Sequence, residues 1–372
     1  MTRERPAWGI YVHVPWCRVR CPYCAFNVHP DRDARWHDYV DGIARDLALW
    51  APSFTGAPES VYFGGGTPSL LPLDALRRLL RTLPGASEIT LEANPGTVDR
   101  DALTAWREVG VTRLSLGIQT FDRRYAGMLN RGHSVDDALE LLAGVRAAGF
   151  ATWSFDLMFG LPGQTLAELD TDLDRVIEHR PPHVSLYGLT VEPGTPWERA
   201  VRAKKLAPVG EDEWRAMYDR IVERLEGAGW ERYEVSNFAL PGHRSRHNEA
   251  IWRGGHYAGL GPGAHGFLED GERTIATADP GAWLQSPIAS RERPTIEQAA
   301  ADRVLGQLRH REGLDLESLA ADFGATLDGR ALDRLVVAGL VVPRAAQVML
   351  THEGFALADA VTRHVVGALR IS

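Results

Sequence analysis

The chain has 372 residues, a hydrophobic fraction of 44%, a charged fraction of 24% and a formal net charge of −8. Such a composition suits a globular protein able to bury a substantial core, with room for one large α/β domain and an appendix. The acidic balance leaves no basic footprint for nucleic acid, and no apolar run approaches the roughly 20 residues that cross a bilayer.

The opening stretch MTRERPAWGIYVHVPWC has too short an apolar run for a signal peptide and no small-residue cleavage site. A cytoplasmic protein with reduced thiols is therefore expected. GIYVHV reads as the first strand, after which Trp36, Tyr39, Ile43, Leu47 and Trp50 recur at helical spacing. SVYF precedes LDALRRLLRTL, EITLEA precedes RDALTAWREVG, and RLSLGI precedes two helical patches between Asp122 and Ala148. TWSFDLMF precedes LAELDTDLDRVIEH, and HVSLYGL leads through a proline-rich loop to EDEWRAMYDRIVERLEGAG.

These β-then-α units predict a parallel sheet with right-handed crossovers over residues 1–235, curved into a partial (β/α)6 barrel. A flat doubly wound sheet is the alternative. Residues 236–294 are rich in glycine, histidine and aromatics, have no clean period, and read as a long functional loop region. From about Thr295, LESLAADFG, ALDRLVVAGLV, QVMLTHEG and FALADAVTRHVV predict helix, helix, wing and helix. That makes residues 295–372 a small C-terminal helical, winged-helix-like domain, for which the acidic balance favours a lid or docking role over DNA binding.

All three cysteines, Cys17, Cys21 and Cys24, fall just after the first predicted strand with spacing C-x3-C-x2-C. Three thiolates on one tight loop suit three irons of a [4Fe–4S] cubane, leaving the fourth iron open to a substrate, whereas an electron-transfer cluster takes four cysteines. Zinc with His13 or His29 as a fourth ligand is the alternative. VYFGGGTPS then sets Gly64, Gly65 and Gly66 at the end of the second predicted strand, where bare backbone is able to approach a ligand. At strand ends facing a barrel mouth, polar residues read as functional. Glu92 ends the third strand, Gln119 follows the fourth, Asp156 lies within the apolar fifth, and Arg131 sits between two helical patches. An Asp156–Arg131 ion pair and a turn capped by Glu92 are the structural alternatives.

Tyr11, His13 and the three cysteines, with GGGTPS, LEANP, LSLGIQTFD, LNRGHS, FDLMFGLPGQT and GLGPGAHG, resemble the radical S-adenosylmethionine (SAM) enzymes. Within them the likeness is to the oxygen-independent coproporphyrinogen oxidase-like branch, and it covers most of the chain. The resemblance implies a [4Fe–4S] cluster whose open iron binds SAM, and electron transfer that yields methionine and a 5′-deoxyadenosyl radical. It places Tyr11, Gly66, Thr67, Glu92, Gln119, Arg131 and Asp156 in the SAM pocket, with Tyr23 near the adenine or a second SAM.

The oxidase carries a further cysteine two residues after the third; here that position is Phe26. CPYCAF and the later HNEAIW resemble instead the HemW-type heme chaperones, whose signature is H-N-x-x-Y-W. Ile251 stands in place of the tyrosine. The resemblance implies heme as a ligand, with His247 as axial candidate, Trp252 stacking on the porphyrin and Asn248 fixing the loop; His256 and His265 are further imidazoles nearby. No C-x-x-C-H is present for covalent attachment. The partners implied are heme, heme-accepting respiratory proteins, an electron donor of unidentified kind and a peripheral membrane association. The alternative function is catalysis on a porphyrin or other macrocycle, as an oxidase, a methyltransferase or a ring-opening enzyme.

Overall fold

The structure, a computed structural model, describes residues 8–371. Six parallel strands run in sequence order across one sheet: β1 Gly9–Val14, β2 Ser60–Gly65, β3 Glu88–Ala93, β4 Arg113–Gln119, β5 Thr152–Phe159 and β6 His183–Gly188. A doubly wound sheet reverses its strand order at a switch point. Here the order never reverses, so the sheet curls one way into a barrel wall. Helices follow each strand: α1 Trp36–Trp50, α2 Leu73–Thr82, α3 Arg100–Val109, the pair α4 Arg123–Leu129 and α5 Val135–Ala148, α6 Leu166–His179, then α7 Pro196–Arg202 and α8 Glu211–Gly227. Starts are written locally: the Ser134 and Thr165 hydroxyls accept from the N–H groups of Asp137 and Glu168 in reciprocal capping boxes.

Along each strand the two faces divide by chemistry. Ile10, Val12, Phe63, Leu91, Leu114, Phe155 and Val184 point outward and are fully buried under the helices. The alternate residues face the barrel interior and are polar, in rungs such as Tyr11, Tyr62, Thr90 and Arg113, or Glu92, Ser115 and Ser154.

Residues 236–294, read above as loop, are ordered. β7 Asn237–Ala239 runs antiparallel beside β6, and β8 Tyr257–Leu260 runs parallel beside β1, extending the sheet past both barrel edges. Strands His265–Phe267, Arg273–Ala276 and Ile288–Glu292 continue outward from β8 as an antiparallel meander. Between β7 and β8, helix α9 Arg246–Trp252 crosses the N-terminal ends of the strands and floors the barrel. The strands are three to five residues long, too short to carry a visible period.

The C-terminal unit holds helices Ile296–Arg309, Leu316–Phe323 and Gly329–Val337, then the hairpin Val341–Arg344 with Gln347–Leu350, then helices His352–Ala356 and Ala358–Gly367. Among the described residues no helix is long and apolar enough to cross a membrane.

Candidate cofactor site

At the C-terminal ends of the strands a cavity of about 620 Å³ opens. One wall is the cysteine loop, residues 15–28. It is tied down at several points: Arg18 donates to the Gly96 carbonyl (3.0 Å), Trp197 N–H donates to the Pro22 carbonyl (3.1 Å), and the Asn27 amide donates to the carbonyls of Pro262 (3.1 Å) and Ala278 (2.9 Å). The three thiols are free, half-buried, and all line the cavity. Burial pushes the Cys17 and Cys21 thiols above their ordinary range, while the Thr67 hydroxyl on Cys17 (3.3 Å) and the Arg131 guanidinium near Cys21 pull the other way. Among the described residues, no three of His, Cys, Asp or Glu gather as ligands of a single ion. His13, named above as a fourth ligand for zinc, has both ring nitrogens engaged, by the Tyr11 hydroxyl and the Asn27 carbonyl (3.0 Å each).

The glycine turn forms the adjoining wall. Gly65 has φ of 111°, in the left-handed region. A Cβ on Gly66 would lie 2.8 Å from the Trp16 carbonyl oxygen, 2.9 Å from that of Val14 and 3.1 Å from Cys17 Sγ. Only glycine lets the turn come this close to the cysteine strand.

The opposite wall comes from the ends of β3, β4 and β5. Glu92 accepts from the Tyr62 hydroxyl (2.9 Å) and the Gly65 N–H (3.2 Å). Burial, with Asp156 nearby, pushes its carboxyl up to about 7. Asp156 is not paired with Arg131. It accepts instead from the hydroxyls of Ser115 (2.7 Å) and Ser154 (3.3 Å), and burial raises it as well. Arg131 donates to the Tyr23 hydroxyl (2.9 Å) and to the Asn94 side chain, and its buried Nε has no partner among the described residues. Gln119 is buried with φ of 69°, a strained conformation for a residue with a side chain. Cys17, Cys21, Cys24, Tyr23, Gly66, Thr67, Glu92, Gln119, Arg131 and Asp156 thus meet at one cavity.

Tyr11 does not line it. It lies deeper in the barrel interior, its ring beside Tyr62, and its hydroxyl meets His13, whose other ring nitrogen meets the Asn27 carbonyl of the cysteine loop. Sequence reasoning missed Asn94, which links Arg131 to the Thr67 hydroxyl (3.1 Å), and Gly117, where a Cβ would meet Asn94 Oδ1 at 2.4 Å. Both lie inside the motifs LEANP and LSLGIQTFD, which were the available signal.

The HNEAIW residues lie elsewhere, in α9 at the barrel floor. His247 is 4% exposed, its Nδ1 meets the Ser60 hydroxyl (2.9 Å), and its ring stacks on Tyr62 with centroids 5.1 Å apart. The Glu88 carboxylate accepts from the backbone N–H groups of Arg246 and His247 (3.2 and 3.3 Å). Burial pushes the His247 imidazole down to about 3. In this conformation the ring is enclosed rather than presented to a porphyrin, because a helix N-terminus and a serine both hold it inward. Asn248 is half-buried beside it, and Trp252, at the far end of α9, lines a separate groove.

The Radical SAM superfamily profile matches residues 11–176. The chain is 31% identical to the heme chaperone HemW of Bacillus subtilis over 96% of this chain and 99% of that one. It is 37% identical to the heme chaperone HemW of Escherichia coli over 77% of this chain and 78% of that one. Among solved structures, the coproporphyrinogen III oxidase of Escherichia coli, described as a radical SAM enzyme, superimposes with a TM-score of 0.82 at 22% identity, covering 98% of this chain and 90% of that chain. That last likeness is one of fold.

Proposed function

The chain belongs to the HemW-type branch of the radical SAM superfamily, and from that membership we propose that it is a heme chaperone carrying a [4Fe–4S] cluster and SAM at the barrel mouth. The observation that carries the reading is the convergence of three thiols, and no fourth, on one cavity with the glycine turn and the Glu92, Asp156 and Arg131 side chains. The residues fit the cofactors: Gly66 leaves space beside Cys17 that a Cβ would fill, and Arg131 keeps an unpartnered buried Nε at the cavity.

In this reading Cys17, Cys21 and Cys24 hold the cluster. When bound, the cluster supplies an open iron for SAM and an electron for its reductive cleavage. Gly66 and Thr67 offer backbone to SAM. Glu92 and Asp156 present carboxyl groups to its cationic and hydroxyl groups, Arg131 faces its carboxylate, and Gln119 and Tyr23 close the sides. Tyr11 acts at one remove, through His13. Phe26, 65% exposed at the rim, puts a phenyl ring where the oxidase has a thiol, which supports a carrier over a decarboxylase.

Heme is the cargo, in keeping with the names of the bacterial relatives. The proposed recipients are heme-accepting respiratory proteins, which bring a peripheral membrane association. The cell compartment is the cytoplasm, where an electron donor yet to be identified would reduce the cluster. Of His247, Asn248 and Trp252, the last faces open space and is the heme contact favoured here.

The test is anaerobic reconstitution of wild type and of Cys17→Ala, Cys21→Ala and Cys24→Ala, followed by hemin titration with and without SAM. Saturable hemin binding by wild type is expected, along with loss of most iron and sulfide in every cysteine variant. Conversion of coproporphyrinogen to its doubly decarboxylated product at turnover, seen by mass spectrometry, would replace the carrier by an enzyme.

A further inference from the structure

A second cavity, of about 820 Å³, lies on the continuation of the barrel's inner sheet face, between the antiparallel meander and the helix Ile296–Arg309. This volume falls within the ~300–1,000 Å³ of cofactor and small-molecule sites. We propose that this groove is the heme seat, with the His265 imidazole on the iron; the proposal rests on the heme-carrier reading above.

Four imidazoles lie in residues 236–294, and the structure separates them; His243 meets the Thr152 hydroxyl (2.9 Å) and does not line the groove. His247 is sealed into the barrel floor against Ser60. His256 lines the groove with its ring packed on Phe267, centroids 4.9 Å apart. His265 lines the groove and is exposed, on a strand whose register puts it on the same face as Tyr257 and Phe267. It is the one imidazole here both rigidly mounted and open.

The walls suit a porphyrin. Ile275 on the meander and Ile296 and Leu305 on the facing helix are 36%, 57% and 44% exposed, an unusual concentration of aliphatic surface left to water. Trp252 adds an aromatic face at one end. Heme also carries two carboxylates. Arg273 is committed to Glu292 and Asp302, but Arg293 stands at the rim with its side chain 64% exposed, donating to the Asp270 carboxylate (2.7 Å) and, through its other terminal nitrogen, to the Asp270 backbone carbonyl (3.0 Å). A solvent-exposed pair of this kind contributes little, so exchange of Asp270 for a propionate costs little.

The test is hemin titration of the reconstituted full-length protein, followed through the Soret band. His265→Ala is expected to shift the band and weaken binding by about tenfold or more, with added imidazole restoring the band position. Leu305→Glu, at an exposed wall position, is expected to weaken binding with unchanged iron and sulfide content and an unchanged far-ultraviolet circular dichroism spectrum. If wild type binds hemin saturably and both variants match it in affinity and spectrum, the groove is not the seat, although the carrier reading stands. If wild type fails to bind hemin, or binds it only without saturation, the carrier reading falls and takes the groove with it.

Discussion

At Gly66, two carbonyl oxygens and a cysteine sulfur occupy the space a side chain would need. In the sequence this glycine reads as bare backbone open to a ligand. The structure adds that a Cβ presses on the strand carrying Cys17, so Gly66→Ala is expected to lower both SAM affinity and the iron and sulfide retained after reconstitution. Glu92 makes a prediction of a different kind. Its carboxyl, raised to about 7 from an ordinary 4.5, binds protons more readily folded than unfolded. Its contribution to stability is therefore full below about 4.5 and is lost as pH rises through about 7. Glu92→Gln should remove that loss, stabilising the ligand-free protein above neutrality by at most about 3 kcal/mol. Thermal unfolding of both forms between pH 5 and 8 measures it. The cysteines were legible in the sequence because their spacing is local. Asn94 and Gly117 were not singled out, because the sheet's register alone brings them beside Arg131 and Thr67.

Helix α9 has seven residues and little independent stability. Its place at the floor depends on Glu88 at its first turn and Ser60 on the His247 ring. His247→Ala deletes a buried ring and strands the Ser60 hydroxyl, a loss of about 2–3 kcal/mol at neutral pH. The imidazole, held down to about 3, contributes stability that is present above about 6.5 and lost as pH falls toward 3, so the gap between wild type and variant should narrow on acidification. Denaturant titrations at pH 7 and pH 5 check both the size and the trend. A heme spectrum that changes in His247→Ala while the fold and stability stay intact would restore this residue as the iron ligand. The six long strands and their helices were readable from periodicity. The short strands of residues 236–294 were not, because they are defined by partners up to some 250 positions away rather than by their own pattern.

For the molecule as a whole, alternation along the chain supports six β/α units, but it does not distinguish a barrel from a flat sheet. That choice lies in the strand order, a property of long-range pairing. The C-terminal helices and hairpin were legible in the local patterns of LESLAADFG, ALDRLVVAGLV, QVMLTHEG and FALADAVTRHVV; how they dock was not. Gly306 marks the joint. A Cβ there would stand 2.8 Å from the Trp252 carbonyl oxygen, so the C-terminal unit rests directly on the end of the floor helix. Gly306→Val should part the two, and limited proteolysis should then cut the exposed connection at residues 293–297 faster than in wild type. An unchanged cleavage rate would mean that other contacts hold the unit in place.

The pairing of β8 with β1 and the grip of Pro262 and Ala278 on Asn27 also set a timetable. The cysteine loop leaves the ribosome well before its outer anchors, which are built some 235 and 251 positions later. At about 5–20 residues per second, that is a wait of roughly ten to fifty seconds. Through that interval the three thiols have the neighbour strand on one side only, and their pocket is incomplete. Loading of the site belongs to the finished chain, and the interval before completion is when its thiols most need reducing surroundings.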